Sequence, residues 1–210
     1  MNRPTIQLSW GCAKSRAVFV VDCGHNFDVV MILDLSGSVQ DEYELVIEFA
    51  RAVVQGLDID NNSSRFGLVT FATNVSDVIY MDEYIGQKQS LLDALEFYHE
   101  GGYTNTQAAL YTVRTAVLDP LRGFRNQTVA TRVVLVSDGF SNIMHENTLP
   151  EASLIKNLGV LMYSVVINQE HDMTEMEGVA SDPTKYVYQL LNATYIEEVA
   201  RALLRDLCQP

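Results

Sequence analysis

Apolar runs of strand length alternate with amphipathic stretches of helix length along most of the chain. The run from Phe27 to Leu33 is almost continuously apolar and ends at Asp34, which is typical of a central strand buried on both faces. Val133–Val136 is a second run of this kind and ends close to Asp138. Further strands are predicted at residues 65–72, 75–81, 160–167 and 186–189.

Amphipathic helices are predicted between these strands. Between positions 39 and 54 the apolar residues recur at spacings of three and four, which predicts a helix at about 40–56. The same spacing predicts a last helix with its buried stripe within Ile196–Leu207, and Thr106 and Thr194 are predicted N-caps. Other helices are predicted at residues 87–99, 106–118, 149–158 and 173–180.

The order of these elements predicts an α/β fold. Strands and helices alternate, and only 65–72 and 75–81 follow each other closely, which favours an antiparallel hairpin at the sheet edge. We therefore expect a doubly wound, mostly parallel sheet with one antiparallel edge strand and helices on both faces. Residues 1–23 are expected to be an N-terminal extension, because periodicity is unclear there, and residues 24–210 a single domain.

Composition and charge narrow the range of partners. The 210 residues are 48% hydrophobic, which is enough for one domain with a buried core. The formal net charge is −13 and the pI is near 4.6, so nucleic-acid binding is not expected from a surface that repels phosphate backbones. Membrane insertion is not expected either, because the sequence has no apolar run long enough to span a bilayer.

Cysteines and glycosylation motifs favour an extracellular location. Cys23 and Cys208 lie at the two edges of the predicted domain, so we favour a disulfide between them, with three buried or free thiols as the alternative. Cys12 would then be left for an intermolecular link and a possible homo-oligomer, or for a partner in a longer full-length chain. Several acceptor motifs in predicted loops point to secretion. The candidates for N-glycosylation are Asn62, which overlaps Asn61, and Asn74, Asn126 and Asn192.

Five oxygen-bearing side chains form the main candidate site. Asp34, Ser36 and Ser38 alternate after the first buried strand, so an extended backbone aims three oxygens at one point. Thr104 lies in a glycine-containing loop, and Asp138 follows a strand that ends at the same sheet edge. Hard oxygen donors with few carboxylates suit Mg²⁺ or Mn²⁺ and leave the ion attractive to a partner's acidic group. The alternative is a simple turn into a helix, with Ser38 as N-cap.

Enzyme motifs are absent from the sequence. No Gly-x-Ser-x-Gly nucleophile elbow, dinucleotide glycine fingerprint or phosphate-binding loop occurs. The histidines lack zinc-ligand spacing, although His145 follows Asp138 closely enough to reach the rim of the predicted metal site. We therefore expect a binding protein and not an enzyme.

Taken as a set, the five metal-site residues resemble the metal-ion-dependent adhesion site (MIDAS) of the von Willebrand factor type A domain, also called the integrin I-like domain. The closing stretch 179–208 is similar to that family's last elements. The resemblance implies a Rossmann-like fold in which the hydroxyls of Ser36 and Ser38 bind the metal directly. It also implies that Thr104 binds directly or through water, that Asp34 and Asp138 act mainly through waters, and that a partner's Glu or Asp completes the coordination.

The pair Cys23 and Cys208 resembles the matrix branch of the family, which includes matrilins, collagen-associated modules and mussel byssal thread matrix proteins. The resemblance implies a secreted module of the extracellular matrix that binds collagen or another matrix protein through the metal. Tyr103, Asn105 and Phe140 are the predicted ligand face. One alternative is a structural protein that assembles by domain contacts or through Cys12, with the metal only stabilising. Another is an intracellular chaperone or chelatase subunit.

Overall fold

The computed structural model describes residues 5–8, 19–125, 128–139, 141–167 and 173–209. The strands are β1 (Thr5–Leu8), β2 (Phe19–Asp22), β3 (Phe27–Asp34), β4 (Phe66–Phe71), β5 (Val75–Ile79), β6 (Ala130–Ser137), β7 (Leu161–Ile167) and β8 (Val187–Leu190). The helices are α1 (Tyr43–Gly56), α2 (Lys88–Ala94), α3 (Thr106–Thr112), which a π-helical turn at Val113–Val117 continues, α4 (Thr148–Lys156), α5 (Thr174–Val179) and α6 (Ile196–Leu207).

Six of these strands form one sheet in the order β5-β4-β3-β6-β7-β8. All neighbours in this sheet are parallel except β4 and β5, which form the predicted antiparallel edge hairpin. Helices cover both faces, so the predicted doubly wound α/β fold is confirmed. Strand order reverses between β3 and β6, and a ligand site is expected at the carboxyl ends of these two strands.

Strand β3 corresponds to the continuous apolar run of the sequence and is buried on both faces. All eight of its residues are buried, because β4 and β6 flank it and helices lie above and below. Val29, Met31 and Leu33 pack toward α1 and α6. Val30 and Ile32 pack on the opposite face toward α3, α4 and α5. A strand with two buried faces reads as a continuous apolar segment and not as an alternating one.

The predicted extension contains a short hairpin that the hydrophobic pattern did not indicate. Strand β1 pairs antiparallel with β2, with Thr5 opposite Asp22, and the two form a sheet of their own. Strands of four residues are too short for periodicity to reveal. Among the described residues, every helix is shorter or more polar than a bilayer crossing requires.

The last helix is fastened at its carboxyl end. A disulfide joins Cys208, which follows α6, to Cys23, which precedes β3. The Tyr163 hydroxyl donates to the Asp206 carbonyl at 3.3 Å, and the Tyr188 hydroxyl donates to the Asp206 carboxylate. Burial raises the pKa of Tyr163 to about 12, so its hydroxyl remains a donor at neutral pH. The carboxyl end of α6 is therefore tied to both β7 and β8.

Candidate metal centre

Asp34 lies at the carboxyl end of β3 and is fully buried. Its Oδ1 atom accepts a hydrogen bond from the Ser36 backbone N–H at 2.9 Å. Its Oδ2 atom accepts one from the Ser137 hydroxyl at 2.6 Å, at the end of the neighbouring strand β6. The carboxylate is therefore oriented by two donors, one from its own loop and one from across the sheet.

Three hydroxyls form a connected row next to this carboxylate. The Thr104 hydroxyl donates to Ser36 Oγ at 2.9 Å, and Ser36 Oγ lies 3.2 Å from Ser38 Oγ. Ser36 and Thr104 are buried, whereas Ser38 is exposed to solvent. The row thus runs from the interior of the sheet edge to the surface, as a site open to an outside ligand requires.

Asp138 brings a second buried carboxylate to the same place. It follows β6 and is 2% exposed. The pKa of Asp34 is raised from 3.8 to about 6, mainly because burial disfavours its charge and further because the negative Asp138 lies nearby. Hydrogen bonds from Ser137 and Ser36 oppose this rise but do not cancel it. A nearby cation would relieve both causes of the raised pKa.

The loop that carries Thr104 is fitted closely against the first motif. The Gly37 N–H donates to the Gly102 carbonyl at 3.1 Å, and the Gly101 N–H donates to the Leu35 carbonyl at 3.1 Å. Gly102 has a φ of +83°, and a Cβ there would lie 2.6 Å from Thr73 Oγ1. Only glycine fits both this conformation and this space. The position of Thr104 therefore depends on the glycines that precede it.

Three residues outside the predicted set help to hold the site. Ser137 orients Asp34, and His99 Nε2 lies 3.0 Å from the Ser36 carbonyl, to which it can only donate. Asn142 holds Thr104 from both sides, since its Oδ1 accepts from the Thr104 N–H at 2.9 Å and its N–H donates to the Thr104 carbonyl at 3.0 Å. Ser137 directly precedes Asp138 and could have been predicted from that motif. No motif or periodicity in the neighbouring sequence indicates a role for Asn142.

The predicted ligand face is described only in part. Tyr103 is 64% exposed beside Thr104. The Asn105 side chain is engaged within the protein, since its amide donates to the Thr73 carbonyl at 3.0 Å and its oxygen accepts from Gln107 at 3.0 Å. Phe140 lies outside the described residues. Of the two described members of the predicted face, Tyr103 has more surface available to a partner than Asn105.

The remaining predicted positions that the structure describes lie at or near the surface. Asn74 and Asn192 are exposed, and Asn62 is half-buried, with its oxygen accepting from Arg65 Nε at 3.2 Å. Asn126 and Cys12 lie outside the described residues. His145 is largely exposed and lies 3.6 Å from Glu146, as expected for a solvated loop histidine.

The side chains at the centre fit a hard divalent cation. Hydroxyl and carboxylate oxygens are the ligands that Mg²⁺ and Mn²⁺ prefer, and Asp34 and Asp138 supply negative charge beside the row of uncharged hydroxyls. Within the described residues, no group of three or more His, Cys, Asp or Glu forms a conventional metal cluster. The five predicted positions, Asp34, Ser36, Ser38, Thr104 and Asp138, come together at one edge of the sheet.

Comparisons with known proteins identify the family to which this fold belongs. The family model of the von Willebrand factor type A domain matches residues 28–202. The chain is 29% identical over 186 residues to the collagen alpha-4(VI) chain of Mus musculus, covering 86% of this chain and 8% of that protein. It is 24% identical over 212 residues to matrilin-2 of Mus musculus, covering 99% of this chain and 21% of that protein. The chain therefore spans a small part of these relatives, which are extracellular-matrix proteins.

A solved structure provides the same picture of the fold. Proximal thread matrix protein 1 (PTMP1) from the mussel byssus, with zinc in its MIDAS motif, superposes with a TM-score of 0.77 at 24% identity. The match covers 87% of this chain and 48% of that chain. At this identity the likeness establishes the fold alone.

Proposed function

The chain belongs to the von Willebrand factor type A domain family, and from this premise we propose that it is a metal-dependent binding module of the extracellular matrix. In this proposal residues 24–210 form the module, residues 1–23 are an extension, and the protein is secreted. The proposed partner is collagen or another matrix protein, and the proposed ion is Mg²⁺ or Mn²⁺. The related proteins are matrix and adhesion proteins and not enzymes, which supports a binding role.

One observation carries this proposal. A continuous row of hydroxyls, from Thr104 through Ser36 to Ser38, lies beside the buried carboxylate of Asp34. Hydroxyl ligands carry no charge of their own. A divalent ion bound to this row beside the desolvated carboxylate would therefore stay attractive to a further anion. The PTMP1 structure with zinc in its MIDAS motif supports metal binding at such a site in a protein of the same fold.

Each residue of the site has a distinct part in the proposal. Ser36 and Ser38 would bind the ion through their hydroxyls, and Thr104 would bind directly or through water. Asp34 and Asp138 would act mainly through waters, while Asp34 also orients Ser36 through its backbone N–H. The bound ion would supply a coordination position for a Glu or Asp carboxylate of the partner. Exposed Tyr103 would contact the partner surface around that carboxylate.

Calorimetry and binding to a matrix panel test this function. The whole chain is titrated with Mg²⁺ and Mn²⁺, and its binding to a panel of collagens and other matrix proteins is measured in the metal and in EDTA. Ser36→Ala should lose metal binding and partner binding together, because its hydroxyl is the centre of the row. Ser153→Ala, at an exposed serine of α4, is the control and should change neither.

Two outcomes would reject parts of the proposal. Unchanged metal affinity in Ser36→Ala would show that the ion binds elsewhere. Absence of binding to every matrix protein, with metal or without it, would remove the proposed class of partner.

A structural role in assembly is a second candidate, and the cysteines favour it. The disulfide uses Cys23 and Cys208, so no other cysteine of the chain remains for Cys12. An odd cysteine in a secreted protein is available for an intermolecular bridge. If assembly is the function, Cys12→Ser should abolish disulfide-linked oligomers on a non-reducing gel. Asp34→Ala should then leave those oligomers intact.

A further inference from the structure

A groove runs beside the metal site between helix α1 and the irregular segment after α2. Its volume is about 470 Å³. The helix contributes one stripe of side chains, because the lining residues from Tyr43 to Arg51 recur at helical spacing. Residues 95–97 form the opposite wall. We call this feature the α1 groove.

The α1 groove has an apolar floor and two defined ends. Ile47 and Leu95 are buried beneath it, and Phe97 is half-buried. At one end the Arg51 guanidinium donates to the Leu92 and Leu95 carbonyls at 3.0 and 2.7 Å. At the other end the Tyr43 ring meets the His99 ring edge-on, with their centroids 5.7 Å apart. These contacts hold the two walls in a fixed relation without filling the space between them.

The rim of the α1 groove is acidic. Glu44 and Glu48 project from exposed positions of α1, and the side chain of Glu96 on the opposite wall is 82% exposed. The single lining arginine, Arg51, is occupied by backbone carbonyls and lies 3.7 Å from Glu96. The rim therefore presents net negative charge, as does the whole chain with its net −13. A basic segment is the complementary ligand.

The wall opposite α1 also offers backbone hydrogen-bonding groups. Within the described residues, the N–H groups of positions 96–100 make no backbone hydrogen bond, and neither do the carbonyls. The segment belongs to no helix or strand. Backbone groups of this kind can pair with an added peptide, as the open edge of a sheet does.

From these features we propose that the α1 groove binds a polypeptide segment of a partner that carries basic residues and at least one bulky apolar side chain. The apolar side chain would cover Ile47 and Phe97, and the basic side chains would face Glu44 and Glu96. The peptide backbone would pair with positions 96–100. Charge complementarity decides between a partner segment and a second copy of this acidic chain, because two acidic surfaces repel.

The α1 groove extends the surface that the metal provides. His99, at one end of the groove, also donates to the Ser36 carbonyl in the metal loop at 3.0 Å. A partner with an acidic residue for the metal and a basic, apolar segment next to it would contact both. This joint engagement rests on the proposed function, whereas binding of the segment to the groove does not need the metal.

The test uses a defined peptide, because the natural partner is not identified. The probe is the capped pentapeptide Lys-Leu-Lys-Val-Lys, and its matched control replaces each lysine with glutamate. NMR titration of the isotope-labelled chain in EDTA should give saturable shifts at 43–51 and 95–99 with the lysine peptide alone. Amide hydrogen exchange at positions 96–100 should slow when this peptide binds.

Charge reversal separates specific binding from general attraction to an acidic protein. The double substitution Glu44→Lys and Glu96→Lys should lower the affinity for the lysine peptide by about 10-fold or more, since each attractive pair at the rim becomes repulsive. The double substitution Glu146→Lys and Glu198→Lys makes the same charge change at exposed positions elsewhere and should lower this affinity much less. Ser36→Ala should leave peptide binding unchanged, which separates the groove from the metal site.

Several results would overturn the proposal. Equal weakening by both pairs of reversals, or shifts spread over the whole acidic surface, would mean non-specific attraction. Absence of saturable binding, or unchanged exchange at 96–100, would mean that the groove takes no such segment. Self-association that shifts the groove residues without peptide would identify a second copy of the chain as the occupant.

Discussion

Strand β3 carries a buried aspartate at each end, and the protein treats them differently. Asp28, near the start of the strand, is paired with Arg125, whose Nε donates to Asp28 Oδ2 at 2.9 Å. The Arg65 N–H donates to Asp28 Oδ1 at 2.8 Å. Asp34, at the other end, accepts only neutral donors from Ser36 and Ser137, and within the described residues no lysine or arginine forms an ion pair with it.

The difference separates the two ends of β3. We call the end at Asp28 the closed edge of the sheet and the end at Asp34 the receptive edge. Both aspartates are fully buried, so both carry the same desolvation cost. The cost at Asp28 is offset by a guanidinium that the chain supplies, whereas Asp34 accepts hydrogen bonds from neutral donors and is the residue that we propose a cation from solution would compensate. The disulfide from Cys23 also fastens the closed edge. We therefore expect substitutions near Asp28 to change stability and substitutions near Asp34 to change binding.

The largest expected effect comes from removing the disulfide at the closed edge. Replacing Cys23 and Cys208 with serine should lower the free energy of unfolding by about 5 kcal/mol, because the bridge closes a very long loop in the unfolded chain. Urea denaturation measures this loss, and Cys12→Ser is the matched control. Metal affinity of the variant, measured at a temperature where it is folded, should stay within about 3-fold, since distant sites act independently. A larger fall in affinity would mean that the two edges are coupled.

Arg125→Met tests the closed edge directly. It should cost about 3–5 kcal/mol of stability, because Asp28 becomes a buried charge without its partner. The double variant with Asp28→Asn should recover most of this loss in urea denaturation. If the double variant is no more stable than Arg125→Met, the arginine acts through its bonds to the Asn62 and Ser63 carbonyls instead.

The receptive edge should respond to pH in the opposite sense from a paired carboxylate. The pKa of Asp34 is raised from 3.8 to about 6, so the folded protein binds this proton more tightly than the unfolded chain does. Without metal, its contribution to stability is fully present below about pH 4 and is lost as pH rises to about 6, a change of roughly 3 kcal/mol.

Metal and substitution sharpen this pH test. Divalent ions favour the ionised carboxylate, so added Mg²⁺ should stabilise the protein more at pH 7 than at pH 5. Asp34→Asn should remove this part of the pH dependence in thermal denaturation. A variant that keeps the full pH profile would assign the titration to another group.

The smallest expected effect is at a residue that orients the site without being proposed to bind the ion. Ser137→Ala should weaken metal binding by about 10- to 100-fold, because Asp34 loses a donor at 2.6 Å. Ser164→Ala removes another buried serine, one that donates to the Met176 carbonyl at 2.7 Å, and is the matched control. Both should lose about 1 kcal/mol of stability. Only Ser137→Ala should change the calorimetric metal affinity.

The hydrophobic pattern predicts the helices themselves, whereas the ends of several helices differ from the prediction. Helix α2 was predicted to reach residue 99, but it ends at Ala94, where Arg51 of α1 takes the Leu92 and Leu95 carbonyls. Thr106 was predicted as an N-cap, but the cap position is Asn105 and Thr106 is buried in the first turn. Both errors arise because a remote side chain or tight packing overrides local preference.

A similar error concerns the start of the last helix. Thr194 was predicted to cap α6, but the helix begins at Ile196 after a 3₁₀ turn. Asn192 supplies the oxygen, which accepts from the Thr194 N–H at 3.0 Å. Thr and Asn are both good caps, so local chemistry alone does not choose between them.

The hydrophobic pattern predicts the sheet, because strands buried on both faces must be apolar throughout. An extended backbone was expected from Asp34 to Ser38, but Gly37–Val39 form a 3₁₀ turn, and this turn brings the Ser38 hydroxyl oxygen within 3.2 Å of the Ser36 oxygen. Tertiary structure alone decided which donors orient these oxygens, as Ser137 and Asn142 do, since hydrogen bonds between strands and loops leave no periodic signal. It also decided that Asp28 forms an ion pair with Arg125, whereas Asp34 forms none with any described lysine or arginine. The physical reason is that periodicity reports burial, whereas charge compensation depends on which distant groups the fold brings within a few ångströms.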